Sequence, residues 1–156
     1  MKNPRHMMRL IRFYFVVLVS VIWCPMAHSD EAEQEKQFLA LIAEDGLEVT
    51  LIKLTALWSE KFPMLDPYEF ESGAKWTVTD GAAWGDTMNW FFHSDLEDPN
   101  TGELLLRKLD QQCVESGRIY VRNGVKIRYH IINSQGIPVW GFSIDKERCD
   151  FYTASR

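Results

Sequence analysis

The sequence predicts an α+β fold: N-terminal helices packed on a small antiparallel sheet that is able to curl into a barrel-like form and is closed by one disulfide. Three observations carry this expectation. Leucines, isoleucines and aromatic residues recur at helical spacing between Asp30 and Phe62. Strand-like runs separated by turn signals fill Lys75 to Ile144. Cys113 and Cys149 bracket the last of those runs.

The chain opens with the plan of an export signal. Lys2, Arg5, Arg9 and Arg12 form a basic leader with no acidic residue, and Phe13 to Cys24 is an apolar run. Ala27 and Ser29 stand as small residues at −3 and −1 of a cut before Asp30. The run is shorter than the ~20 residues a spanning helix needs, which favours cleavage. Extended to Ala27, with Arg12 snorkelling, it reads instead as a short membrane anchor. Residues 1–29 are therefore a signal peptide or anchor, and residues 30–156 a single periplasmic domain, released or attached to the inner membrane. A lipid on Cys24 is disfavoured, because Trp23 precedes it where a small residue is normal.

Without the four leader cations, 13 basic residues face 22 acidic ones, a formal charge of −9. Such a chain repels phosphate backbones, so direct nucleic-acid binding is not expected. Outside Cys24 the only cysteines are Cys113 and Cys149. In an oxidising compartment an isolated pair reads as a disulfide. The alternatives are a catalytic Cys113 working with His130, or a metal site that lacks CxxC or HExxH spacing.

In the helical part, Glu31, Glu33 and Glu35 suit the positive end of a helix dipole. Asp45-Gly46 breaks the pattern, and Leu47, Leu51, Leu54, Leu57 and Trp58 resume it as far as Pro63. The amphipathic faces are read as packing on the protein's own sheet, with a partner helix as the alternative. Pro63 to Ser72 is a connector.

Lys75 to Thr79 is the first strand, Asp80-Gly81 a turn, and Ala82 to Ser94 the second strand. Leu96 to Gly102 is a loop, and Glu103 to Leu109 reads equally as strand or short helix. Arg118 to Arg122 reads as a strand joined by the Asn123-Gly124 hairpin signal to the next one. There Val125, Ile127, Tyr129 and Ile131 take one face, and Lys126, Arg128 and His130 the other. Asn133 to Gly136 turns the chain, and Ile137 to Ile144 returns with Trp140, Phe142 and Ile144 on one face. Pro138 suits an edge strand.

No GxSxG, phosphate loop or paired-carboxylate arrangement stands out, so no enzymatic activity and no cofactor is expected. A small hydrolase using Cys113, His130 and His93 is the least favoured alternative. His93 and His130 are the candidates for pH sensing, against an ordinary packed or surface role. Trp84, Trp90, Phe92, Lys126, Arg128, Trp140 and Phe142 are the candidate ligand or partner face, the aromatics being read first as core. A free periplasmic protein holding a small apolar ligand in a curled sheet, or acting as an inhibitor, is the alternative function.

Taken together, the leader at Lys2–Trp23 and the late pair Cys113 and Cys149 resemble one bacterial group. These are the small periplasmic or inner-membrane co-regulators of the ToxS, TcpH and PsaF/MyfF type. The resemblance is architectural and implies an accessory protein that binds, and stabilises or activates, the periplasmic domain of a membrane-anchored winged-helix regulator. It further implies control of virulence or fimbrial genes. No site residue carries over from it.

Overall fold

The computed structural model describes residues 31–69, 75–94, 101–115 and 117–156. The leader, Asp30, the end of the connector and most of the loop before Thr101 lie outside the described residues.

Two helices come first, α1 (Glu31–Asp45) and α2 (Leu47–Ser59). They divide at Gly46, whose φ of 81° is open to glycine and strained for other residues. Leu51 and Leu54 are buried on α2, and so are Thr50 and Thr55. Both hydroxyls donate to carbonyls one turn back, Thr50 to Gly46 at 2.8 Å and Thr55 to Leu51 at 2.9 Å, which makes their burial tolerable. A short 3-10 turn, Phe62–Met64, places Pro63 in its first turn.

The sheet has five strands in the order β1 (Tyr68–Glu69), β2 (Lys75–Trp84), β3 (Thr87–Ser94), β4 (Lys126–Ile132), β5 (Pro138–Ile144). The β2–β3 hairpin turns at Gly85, with φ 59°, and not at Asp80-Gly81, which lie inside β2 beside a bulge between Val78 and Asp80. The bulge takes up the irregularity that Gly81 suggests in the sequence.

The expected antiparallel, barrel-like sheet closed by a disulfide is corrected on three counts. First, β3 and β4 run parallel, Met88 pairing with Ile127 and Phe92 with Ile131. A parallel pair needs a crossover, and the chain supplies one. It consists of α3 (Thr101–Leu109), a π-helical turn at Asp110–Val114, and α4 (Arg118–Arg122). Arg118–Arg122 is thus helix, not strand, and Asn123-Gly124 ends that helix instead of turning a hairpin. Second, the sheet is open: β1 and β5 are its edges and do not pair with each other. Pro138 does lie on an edge strand, as its missing N–H requires. Third, the disulfide does not close the sheet. Cys113 sits in the π turn and Cys149 in a C-terminal helix α5 (Lys146–Ala154), with Cα atoms 5.0 Å apart.

Helix α5 begins at Asp145, whose side chain accepts a hydrogen bond from the Arg148 N–H at 3.0 Å. Tyr152 Oη donates to Asp110 Oδ1 at 2.9 Å, reinforcing the disulfide between the same two segments.

One sheet face is the core. Trp76, Ile127, Tyr129, Ile131 and Ile144 are almost completely buried. Each such aliphatic side chain contributes roughly 1.5–3 kcal/mol relative to exposure. The alternation expected for β4 holds: Val125, Ile127, Tyr129 and Ile131 point inward, while Lys126 and Arg128 are exposed. Helix α2 covers β2, and the crossover and α5 pack around the other end of the sheet.

Candidate partner-binding groove

Between the N-terminal helices and the crossover the core is incompletely filled. A cavity of about 160 Å³ remains there. Its floor is the inner sheet face: Val78, Met88, Trp90, Phe92, Ile127 and Tyr129. These residues come from β2, β3 and β4; β3 and β4 pair on both sides, and β2 pairs with β3 along its length and with β1 at Lys75 and Trp76. One wall is α2 with the following turn (Leu54, Trp58, Phe62), and the opposite wall is the crossover (Lys108, Gln111, Gln112, Ile119, Tyr120). Helix α1 contributes Gln34, Gln37, Phe38 and Leu41.

Helix α1 is held by one buried aromatic residue and by charge pairs in its first two turns. Phe38 is its only buried residue, meeting Tyr120 edge-on with ring centroids 5.1 Å apart. Glu31 and Glu35 stand one helical turn apart on α1, and Arg118 and Arg122 one turn apart on α4. They pair in matching fashion, Arg118 with Glu31 and Arg122 with Glu35. Arg122 Nη1 also reaches Glu31 at 3.1 Å, and Asn123 Nδ2 donates to Glu35 at 2.7 Å. Hydrogen bonding by Arg118 holds the Glu31 carboxyl below its ordinary range, and hydrogen bonding by Arg122 does the same for Glu35.

The polar group on the crossover wall is Lys108, only 3% exposed. Its ammonium donates to Tyr68 Oη at 3.1 Å and Gln111 Oε1 at 3.0 Å, and lies 4.4 Å from the Tyr68 ring centroid. Burial pushes its pKa down, partly opposed by Tyr68. Beside it, Gln112 Nε2 donates to Tyr129 Oη at 3.0 Å. Burial raises the pKa of the Tyr129 hydroxyl, and that of Tyr120 to about 12, so both remain neutral phenols.

The structure divides the candidate face named from sequence. Trp90 and Phe92 line the groove. Trp140 and Phe142 share the inner face as a tilted pair 4.8 Å apart, outside that lining. Trp84 ends the β2–β3 hairpin, half exposed. Lys126 pairs with Asp86 at 3.3 Å, and Arg128 Nε donates to Ser143 Oγ at 3.3 Å, both on the outer face. His130 is also on the outer face, stacked on Phe91 and bonded through Nε2 to Asn89 Oδ1 at 3.0 Å. Burial, and then Arg128, push its pKa down. His93 pairs with Ile132 in the ladder, two positions along from the Phe91–His130 pair. Cys113 is bonded to Cys149, so no Cys113–His130 nucleophile exists. Among the described residues no cluster of three or more His, Cys, Asp or Glu is placed to hold a metal ion.

Lys108, Gln112 and the α1 residues were not legible as a site in the sequence. One signal for them exists: Leu104, Lys108 and Gln112 recur every four residues and are all buried, which reads as a helical stripe with two polar members.

Neither a family model nor a curated protein matches the chain. Two solved structures share its fold. The type 2 secretion system pilotin EpsS of Vibrio vulnificus has a TM-score of 0.52 at 18% identity, covering 76% of this chain and 96% of its own. The type II secretion system pilotin AspS of Vibrio cholerae has a TM-score of 0.53 at 21% identity, covering 70% and 99%. At such identities the likeness shows the fold alone. It overturns the resemblance to ToxS, TcpH and PsaF/MyfF co-regulators, and with it the winged-helix regulator as partner. Transcription regulation, virulence and fimbrial expression lose their support, and neither neighbour is named for a small apolar ligand. The fold is shared with these two pilotins, whose names carry no catalytic activity. A periplasmic location, released or membrane-attached, agrees with the disulfide.

Proposed function

We propose that this chain is a pilotin-like accessory protein that holds an apolar helical segment of a secretion-machine component in the groove beside α1. The domain plan goes with it: residues 1–29 deliver or tether the chain, and 30–156 fold as one periplasmic domain. The observation that carries the reading is the aromatic-floored groove between α2 and the crossover. The groove lies over the face of the sheet, so a segment seated there meets side chains and not the backbone edge of a strand. A helix inserting side chains suits such a floor, and a cavity of about 160 Å³ takes one or two anchors. The shared fold of two type II secretion pilotins points to the same class of partner.

The test is site-specific photocrosslinking in the native cell. A photoreactive residue at Gln37, on the groove, is compared with one at Val139, on β5. A type II secretion component identified by mass spectrometry at Gln37 and missing at Val139 supports the proposal. Identical products at both positions, or none from any secretion component, would reject it.

A further inference from the structure

The groove holds a cation that has no counter-charge among the described residues. Lys108 lies on α3, its ammonium within reach of two neutral acceptors, Tyr68 Oη and Gln111 Oε1. Three ring faces surround it, Tyr68 at 4.4 Å, Phe92 at 5.4 Å and Tyr129 at 5.6 Å. An ammonium has three N–H donors, so one remains after these two bonds. Among the described residues Lys108 forms no ion pair, while Lys53, Arg118, Arg122 and Lys126 do. Burying a charge without a partner is costly, and the lowered pKa of Lys108 expresses that cost. A purely structural position on this stripe would be filled more stably by leucine or methionine.

We infer that the groove selects a helical segment carrying one carboxylate among its apolar anchors, with Lys108 as the counter-charge at the groove wall. This rests on the pilotin-like reading and adds the chemistry of the segment to it. The apolar floor and the cavity volume accept the anchors, and the remaining N–H of Lys108 donates to the carboxylate. The rest of the protein is acidic, with a formal charge of −5 even when the leader is counted. A segment acidic throughout would be repelled, so the selected one is neutral or basic overall, with its single acid on the apolar face.

The experiment uses the chain as purified from the periplasm and two synthetic amphipathic helices of about 18 residues, five turns. They are identical except for Glu or Gln at the centre of the apolar face. Binding is read from the fluorescence of Trp58 and Trp90, which line the groove. The Glu peptide is expected to bind about tenfold more tightly than the Gln peptide. Lys108→Met should abolish or invert that preference while keeping binding of the Gln peptide, which shows that the variant is folded. Equal binding of both peptides by the unaltered chain overturns the inference and leaves the groove reading standing. Binding of neither overturns both. Octanoate or a second copy of the chain showing the Lys108 dependence, with no Glu preference between peptides, also overturns it.

Discussion

Gly81 lies directly beneath the indole of Trp90: a β carbon built on the glycine would meet Trp90 Cζ3 at 2.4 Å. The two are cross-strand partners in the β2–β3 hairpin, and the missing side chain lets Trp90 lie flat as part of the groove floor. Gly81→Ala should therefore cost about 1–3 kcal/mol in chemical denaturation and shift the Trp emission, because the ring must move toward Phe62. In a Trp90→Leu background the same change should cost much less. Additive costs in the double variant would show that the clash is relieved elsewhere.

The disulfide joins the crossover to the last helix over a separation of 36 residues. On the chain-entropy argument its loss costs about 4 kcal/mol. The Cys113→Ser, Cys149→Ser double variant should unfold at correspondingly lower denaturant and expose α5 first, seen as early hydrogen exchange at 146–154. The Tyr152–Asp110 hydrogen bond alone does not hold the helix as tightly. Unchanged exchange in α5 would show that other packing fixes it.

What the sequence made legible follows from how local each signal is. The α1–α2 break at Gly46 and the inward face of β4 rest on neighbouring residues, and both were readable. Arg118–Arg122 was not: Ile119 and Val121 alternate as they would in a strand, and five residues are too few for periodicity to separate the two. The salt partners that favour the helix, Glu31 and Glu35, lie 87 residues away. Once that helix is taken for a strand, the crossover disappears and the sheet is read as wholly antiparallel. Helix α5 had a local sign in Asp145, a residue type favoured at helix starts, but the run after it lacks a strong apolar face. The groove was invisible for a different reason. It is made where three distant segments fail to fill a space, and no single stretch records a gap.

Helix α1 should detach on acidification. The folded pKa values of Glu31 and Glu35 lie below the usual 4.5. Their contribution to docking is therefore complete above about pH 4.5 and is lost as pH falls through the lowered values. Proteolysis and hydrogen exchange of residues 31–45 should rise in that window before the sheet opens. Glu31→Gln with Glu35→Gln should produce the same exposure at neutral pH, and added salt should enhance it in the unaltered chain because the pairs are partly exposed. If α1 stays protected in the double variant, Phe38 packing and not charge holds it.

His130 gives a separate pH response on the other face of the sheet. Its folded pKa lies below 6.5, because it is partly buried and Arg128 stands nearby. The folded state therefore favours the neutral ring, and the stability tied to it is present above pH 6.5 and lost as pH falls through the lowered value. The groups facing the ring are Phe91 and Asn89 from β3, Gly141 from β5 and Arg128 from its own strand, with no carboxylate among them to favour protonation. Denaturation midpoints measured from pH 7 to 5 should fall for the unaltered chain and stay flatter for His130→Gln. Arg128→Gln should move the response to higher pH by removing the opposing charge. His93→Gln, two positions along on β3, is the comparison that separates a specific effect of His130 from a general one of the outer face. If the two glutamine variants flatten the profile equally, the assignment to His130 fails.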